Sequence, residues 1–538
     1  MKDDVWFIPV SFDAVVISAP FHGITTLVNP SMAEAAVRCL EDEDEPIPEG
    51  AEWIADLRKP GRRPERHYGA PDPLFLGLVP TRGCMMACAY CDFVALREQP
   101  LMSFRQIREA VDAYAELLRG RENAVLNMHF FGGEPFAAFK EVVFAVNYAR
   151  LKAEELGVNT HFEVTTNGFY SEERCRWIAA NFDTVVLSLD GPQKVQDRHR
   201  PARGGKGSFE QVCRSADLFS RGNCELIIRS CVSAENVGEL AEWALFLSQR
   251  WMPEAVCLEP MIESGPAERN GLKPPDADLY IRNWTLARLV LDNRHIRLVC
   301  SSGDISETRN SLCPMGRDAL IADPEGRVGS CWQLSENQHA GGVDLHFGRI
   351  ENGALQIDPD RLEKQRALSE EKREACRGCF CYAYCAGGCV LNRERSADFC
   401  RITKVLTLWQ LLDRLGHAPL GDCAVSNRAY LDWLTACMDF RCGKVSFENI
   451  PPTLLEHYYF RSEPETAGDD CGTVMPDLPE DADRGWLREG PRIFKADFPA
   501  GILQILEGEE ALRFQLEHAG LDRSDIETVW DELHREAA

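Results

Sequence analysis

The sequence predicts an α/β fold built on a partial, open (β/α)6 barrel of TIM type. A loop-rich, cysteine-rich region and a helical carboxyl-terminal extension follow it. Three observations carry this reading. Six apolar, β-rich runs recur with helical stretches between them: LFLGLV (74–79), MHFF (128–131), HFEVTT (161–166), TVVLSL (184–189), ELIIRSCV (225–232) and AVCLEPM (255–261). Such alternation makes a parallel sheet with right-handed crossovers. Polar signatures follow the first four runs in turn, CMMACAYC, GGEP, NG and DGP, at the carboxyl ends where a β/α barrel keeps its functional mouth. Cysteines gather at 84–91 and again at 376–389.

Residues 1–58 open with the strand-like runs VWFIPV, AVVISAP and ITTLV. NPSMAEAAVRCL then reads as a helix, with Asn29 as N-cap and Pro30 in its first turn. Residues 59–73, rich in Pro, Gly and Arg, read as a linker. The barrel spans 74–300. Its first helix opens on a capping box, Ser103 to Gln106, and presents Ile107, Val111, Tyr114 and Leu118 on one face. Residues 301–405 form the cysteine-rich region. Residues 406–538 are expected to be mostly helical, led in by RITKVLTLWQLLDRLG, with a final helix capped by Ser524 and Glu527 three residues on.

The 538 residues are 45% hydrophobic and 27% charged, as in an ordinary globular protein, with a formal net charge of -26. That charge argues against nucleic acid or an anionic membrane as partner, both of which need surplus Lys and Arg. No apolar run approaches the roughly 18–20 residues that span a bilayer, and MKDDVWF lacks the features of a secretory signal. The expected location is the cytoplasm. Thiols stay reduced there, so clustered members of the 22 cysteines read as metal ligands. Cys39, Cys175, Cys213 and Cys437, scattered among apolar neighbours, read as core residues.

Cys84, Cys88 and Cys91 form C-x3-C-x2-C, with Tyr90 before the last. Alone, that array also suits a zinc knuckle. In order with Gly132-Gly133-Glu134-Pro135, Thr166-Asn167-Gly168 and Ser188-Leu-Asp190-Gly191-Pro192, it resembles the radical SAM superfamily over roughly residues 74–265. The resemblance implies a [4Fe–4S] cluster held by three thiolates, its fourth iron closed by the methionine moiety of S-adenosylmethionine (SAM). Tyr90 would lie by the adenine. Gly132, Gly133, Glu134 and Asn167 would line the cofactor, with the backbone and carboxylate at 132–134 meeting its ammonium. The likeness to sulfatase-maturing enzymes places Ser188 and Arg200 on SAM's carboxylate, which an arginine fork can grip.

The second constellation is C-x12-G-x4-C (Cys313, Gly326, Cys331), then C-x2-C-x5-C-x3-C (Cys376, Cys379, Cys385, Cys389), then Cys400. It resembles the seven-cysteine SPASM domain, which holds two auxiliary [4Fe–4S] clusters, for three clusters in all. A zinc ribbon would leave several thiols unemployed. The resemblance gives Cys376, Cys379, Cys385 and Cys400 to one cluster and Cys313, Cys331 and Cys389 to the other. Either Cys300 supplies the missing ligand or that iron stays open to substrate. Cys381 has no family role and reads as structural. Sulfatase maturases carry a catalytic aspartate after the cysteine matching Cys331; here Trp332 and Gln333 follow it, and no general base can be named.

The resemblance implies a peptide maturase. SAM, cleaved reductively, yields a 5′-deoxyadenosyl radical that takes hydrogen from a ribosomally made precursor peptide, installing a thioether, carbon–carbon or similar crosslink. Electrons come from a donor such as flavodoxin or ferredoxin. Residues 1–58 resemble the start of a peptide-recognition element that binds a leader by adding a strand, or else cap the barrel's bottom. The alternatives are a maturase of a folded enzyme subunit, of quinoprotein amine dehydrogenase or sulfatase type, and a non-catalytic multi-cluster electron carrier.

Overall fold

The computed structural model describes residues 2–65, 69, 71–92, 100–313, 315, 319–332, 339–340, 343–393, 396, 398–419, 428–445, 447, 458–460, 485–489, 492–497, 502–506 and 508–535. Its amino-terminal unit is an antiparallel sheet of β1 (Trp6–Ser11), β2 (Ala14–Ala19) and β3 (Ile24–Val28), packed on α1 (Pro30–Glu41) and α2 (Trp53–Leu57). Every residue of β1 and β2 is buried. Phe7, Val15 and Ile17 face α1 and α2, whereas Trp6, Ile8 and Val16 join the main core. Burial on both faces is why these strands read as unbroken apolar runs. Asn29 caps α1 as expected, its side chain accepting from Met32 N at 2.8 Å.

The barrel follows. Its strands are β4 (Phe75–Leu78), β5 (Val125–Phe130), β6 (Asn159–Thr166), β7 (Thr184–Ser188), β8 (Glu225–Val232), β9 (Ala255–Pro260) and β10 (Arg297–Val299), each parallel to the next. Between them run α3 (Phe104–Leu118), α4 (Phe139–Leu156), α5 (Glu172–Asn181), α6 (Gln193–His199), α7 (Phe209–Phe219), α8 (Leu240–Arg250), α9 (Gly265–Arg269) and α10 (Ala277–Asp292). The capping box on α3 forms with both halves present. Leu126, Met128 and Phe130 of β5, like Leu226, Ile228 and Val232 of β8, are buried in the core. Asn127 and His129 of β5 and Ile227, Arg229 and Cys231 of β8 are half-buried or exposed, and their alternation points them into the lumen.

The sheet does not close. β11 (Ala319–Ala322) pairs in parallel with β4, and β12 (Arg327–Gly329), β15 (His346–Glu351) and β16 (Ala354–Ile357) extend it antiparallel to eleven strands. The short hairpin β13 (His339–Ala340) and β14 (Val343–Asp344) lies apart. Then come α11 (Pro359–Glu374), α12 (Tyr382–Cys385) and α13 (Phe399–Arg414). Cys400 thus sits in the first turn of α13, and the expected boundary at 405 cuts through that helix.

Beyond it are α14 (Arg428–Ala436), α15 (Gly508–Glu517) and α16 (Arg523–Leu533), the helices expected here. They are joined by a pair, β17 (His417–Pro419) with β18 (Tyr458–Phe460), and an antiparallel sheet, β19 (Gly485–Glu489), β20 (Arg492–Asp497) and β21 (Ile502–Leu506). The cap of α16 is Asp522, accepting from Asp525 N at 2.8 Å, and not Ser524. Either residue can cap, and the chain enters the helix two residues earlier. Buried Lys404 on α13 donates to the carbonyls of Leu434, Thr435 and Cys437 at 3.3, 2.8 and 2.6 Å, satisfying the end of α14 with a cation.

Candidate active site at the barrel mouth

Cys84, Cys88 and Cys91 lie in the loop after β4, and the loops after β5 and β7 hold that loop in place. Gly133 N and Glu134 N donate to Thr81 O and Gly83 O at 3.1 and 2.8 Å. Ala87 N and Ala89 N donate to Pro201 O and His199 O, both at 2.8 Å, and Arg203 Nε donates to Cys84 O at 2.7 Å. The glycines are required by this docking. Gly132 has φ +136, and a Cβ there would stand 2.7 Å from Thr81 O; at Gly133 it would run into the carbonyls of Arg82 and Gly83.

The three thiols act on one another electrostatically, and burial raises Cys84 to about 11 and Cys88 to about 12. Held as thiolates they need cationic compensation, which a metal supplies. Among the described residues, no three Cys, His, Asp or Glu side chains converge on one ion. Cys84 Sγ also accepts from Met86 N and Asn167 Nδ2, both at 3.4 Å.

Tyr90 and Arg200 meet at Asp190, a residue of the DGP motif that sequence reasoning left without a role. Fully buried, Asp190 accepts from Tyr90 Oη at 2.7 Å and Cys231 N at 3.0 Å, with His199 Nδ1 at 3.3 Å and Arg200 Nε at 3.0 Å. Burial alone would raise its pKa; Arg200 and His199 outweigh that and hold it at about 2. The Arg200 guanidinium lies 5.3 Å from the Tyr90 ring centroid. Arg200 is therefore the counter-ion of Asp190 in this structure. Ser188 is buried at the end of β7, in register with Arg229.

Glu134, the residue expected to meet a cofactor ammonium, is buried and tied into the neighbouring motif turn. Its carboxylate accepts from Thr166 Oγ1 at 2.8 Å, Asn167 N at 2.7 Å and Phe136 N at 3.2 Å, tying the GGEP turn to the TNG turn. Burial still raises it to about 7.

Cys376, Cys379, Cys385 and Cys400, brought together from 25 residues of chain, line one cavity of about 30 Å³ with Cys381 and Arg393. Cys313 and Cys331 pack in a separate cluster with Met315 and Val390, and Cys389 adds to the burial that raises Cys313 to about 11. The candidate Cys300 does not join them. It is buried in the main core beside Tyr280 and Ser302, past the end of β10. A spacing of twelve residues carried no information about a chain that leaves the sheet at its far edge. Trp332, after Cys331, enters the barrel: it stacks on Phe75 at 6.1 Å, Phe75 stacks on His129 at 4.1 Å, and a Cβ on Gly77 would stand 2.6 Å from the indole. Gln333 lies outside the described residues.

The lumen also holds groups not foreseen in the sequence: His129 and Glu163, 3.7 Å apart, Arg229 and Glu259. The signal was present as polar residues alternating with apolar ones in MHFF, HFEVTT and ELIIRSCV.

Residues 78–247 match the model of the Radical SAM superfamily. The chain is 23% identical over 351 residues to a cysteine-type anaerobic sulfatase-maturating enzyme of Clostridium perfringens, covering 61% of this chain and 91% of that one. It is 24% identical over 350 residues to a serine-type anaerobic sulfatase-maturating enzyme of Klebsiella aerogenes, covering 60% and 80%. Among solved structures, native anSMEcpe with bound AdoMet and Kp18Cys peptide superposes with a TM-score of 0.52 at 19% identity, over 64% of this chain and 99% of that one. The chain carries a radical SAM domain of the expected α/β fold and is an enzyme related to these maturases. No helix among the described residues is long and apolar enough to cross a membrane.

Proposed function

We propose that this radical SAM enzyme modifies a ribosomally made precursor peptide, installing a crosslink such as a thioether or carbon–carbon bond. The observation that carries the reading is the assembly of four post-strand motifs around Cys84, Cys88 and Cys91. These thiols would hold a [4Fe–4S] cluster, with SAM on its open iron. When bound, cluster and SAM supply a 5′-deoxyadenosyl radical that removes hydrogen from an unactivated C–H bond. The protein fixes the cysteine loop through Gly132, Gly133 and Arg203, and holds Tyr90 through Asp190. Arg200 and Ser188 remain the candidates for SAM's carboxylate.

Cys376, Cys379, Cys385 and Cys400 would hold one auxiliary cluster, and Cys313, Cys331 and Cys389 the other in a SPASM-type domain. With Cys300 elsewhere, an iron of the second cluster is left for the substrate. The units 1–58, 74–300, 301–405 and 406–538 would be working domains. The first supports peptide capture. The outer edge of β1 is covered, with Phe7 N donating to Phe440 O at 2.7 Å and Cys442 N to Val5 O at 3.1 Å. The outer edge of β3 pairs with no described strand, so a leader strand can add there. A second reading, a sulfatase-type maturase, rests on the relatives. Against it stands Trp332, whose indole occupies the barrel where those enzymes are expected to place a base.

The test is anaerobic incubation with SAM, reductant, flavodoxin and the peptide encoded next to this chain, read by mass. A loss of two hydrogens and release of 5′-deoxyadenosine are expected. Cys84→Ala, Cys88→Ala and Cys91→Ala should release none, and residual release from them contradicts the assignment.

A further inference from the structure

The lumen carries two cations that the proposed chemistry does not use. Arg229 sits on β8, directly in register with Ser188 of β7 and Cys257 of β9. Ile228 and Ser230 on either side of it are buried toward the helices; Trp243 of α8 donates to Ser230 Oγ at 3.1 Å. Arg229 therefore points inward, and it is solvent-exposed there. Two residues along β8, one side-chain layer or roughly 7 Å higher, Cys231 lies against Tyr90 of the cysteine loop. Arg297, on β10, faces the same way: Val299 is in register with lumen-facing Cys257, and Arg297 with Ala255. Both guanidiniums act electrostatically on Cys257. β10 is the outermost strand on its side of the open sheet.

Other arginines at the mouth are engaged. Arg82 pairs with Asp323 and Glu325, Arg200 with Asp190, and Arg203 with Cys84 O. Arg229 and Arg297 have no hydrogen bond or ion pair among the described residues. The nearby lumen acid Glu259 is held instead by Ser301, whose N donates at 3.0 Å. Two guanidiniums left open on one wall, beneath the loop where hydrogen would be abstracted, match a planar anion that each fork can grip.

We infer that Arg229, assisted by Arg297, anchors a carboxylate of the substrate in the barrel lumen, so that the enzyme selects peptides with an Asp or Glu near the modified residue. The inference rests on the peptide-maturase reading. The cofactor's carboxylate is the other source of the same chemistry, because Arg229 is in register with Ser188; the separate measurement of SAM affinity distinguishes the two. A chain with a net charge of -26 repels acidic peptides at large, which makes local selection for them a discriminating sign.

The experiment pans the anaerobically reconstituted full chain, with saturating SAM, against a random dodecapeptide library. SAM affinity is measured separately by equilibrium dialysis. Wild type should enrich Asp and Glu several-fold over the input. Arg229→Gln should lose that enrichment, Arg229→Lys keep part of it and Arg297→Gln weaken it, all with unchanged iron content and SAM affinity. Equal acidic content in wild type and Arg229→Gln selections overturns the inference. So does a tenfold weaker SAM affinity in Arg229→Gln, which would assign the guanidinium to the cofactor. If wild type binds no SAM, the underlying reading fails instead.

Discussion

At the scale of single residues, Asp190 and Glu134 are two buried carboxylates with opposite settings. Asp190 is ionised because Arg200, His199, Tyr90 and Cys231 N surround it. Asp190→Asn leaves Arg200 buried without its counter-ion, and removing one partner of such a pair costs about 3–5 kcal/mol. The urea midpoint of the apo-protein should fall accordingly; a change below about 1 kcal/mol contradicts the network. Glu134 is raised by burial from 4.5 to about 7, so the folded state holds its proton more tightly than the unfolded chain. Its contribution is complete below about 4.5 and is lost as pH rises through about 7, a span worth about 3 kcal/mol. Thermal midpoints of wild type and Glu134→Gln should diverge across that interval, with the variant flatter. Parallel curves would show that the carboxyl is ionised throughout.

At the scale of elements, a buried charge network joins the cysteine loop to the β11–β12 hairpin. Arg82 donates to Asp323 at 3.2 Å and to Glu325 at 2.7 Å, while Arg327 Nε donates to Asp323 at 2.8 Å. Asp323 is fully buried between two arginines, and β12 leads directly to Cys331. Asp323→Asn removes the buried carboxylate that the two guanidiniums share and leaves only Glu325 to pair with them. Hydrogen exchange should rise both in the cysteine loop and in β12; a rise confined to the hairpin would show that the two segments are not coupled. The same region shows where sequence reading stops. Six of the seven parallel barrel strands, β4 to β9, are legible as apolar runs, several alternating with polar lumen residues, and β1 and β2 because both faces are buried. ALIA and RVG are four- and three-residue strands among glycines and cysteines, and only their pairing with β4 and β15 makes them strands. The grouping of Cys376, Cys379, Cys385 and Cys400 was legible by spacing. Spacing left the place of Cys300 open, because it cannot reveal that β10 and β11 lie at opposite ends of the barrel sheet. The partners of Glu134, Asp190 and Arg229 come from different strands, and no local pattern announces them.

At the scale of the whole molecule, the fold brings the cysteine loop after β4 together with the loops after β5, β6 and β7 at one end of an open barrel, beside an amino-terminal sheet whose outer β3 edge pairs with no described strand. The central claim is that Cys84, Cys88 and Cys91 hold a cluster with one iron left for SAM. Its most direct measurement is the electron paramagnetic resonance spectrum of the reduced, anaerobically reconstituted chain with and without SAM. SAM is expected to shift one cluster signal, and the shift to be absent in Cys88→Ala. A spectrum indifferent to SAM, or zinc in place of iron at that site, would contradict it.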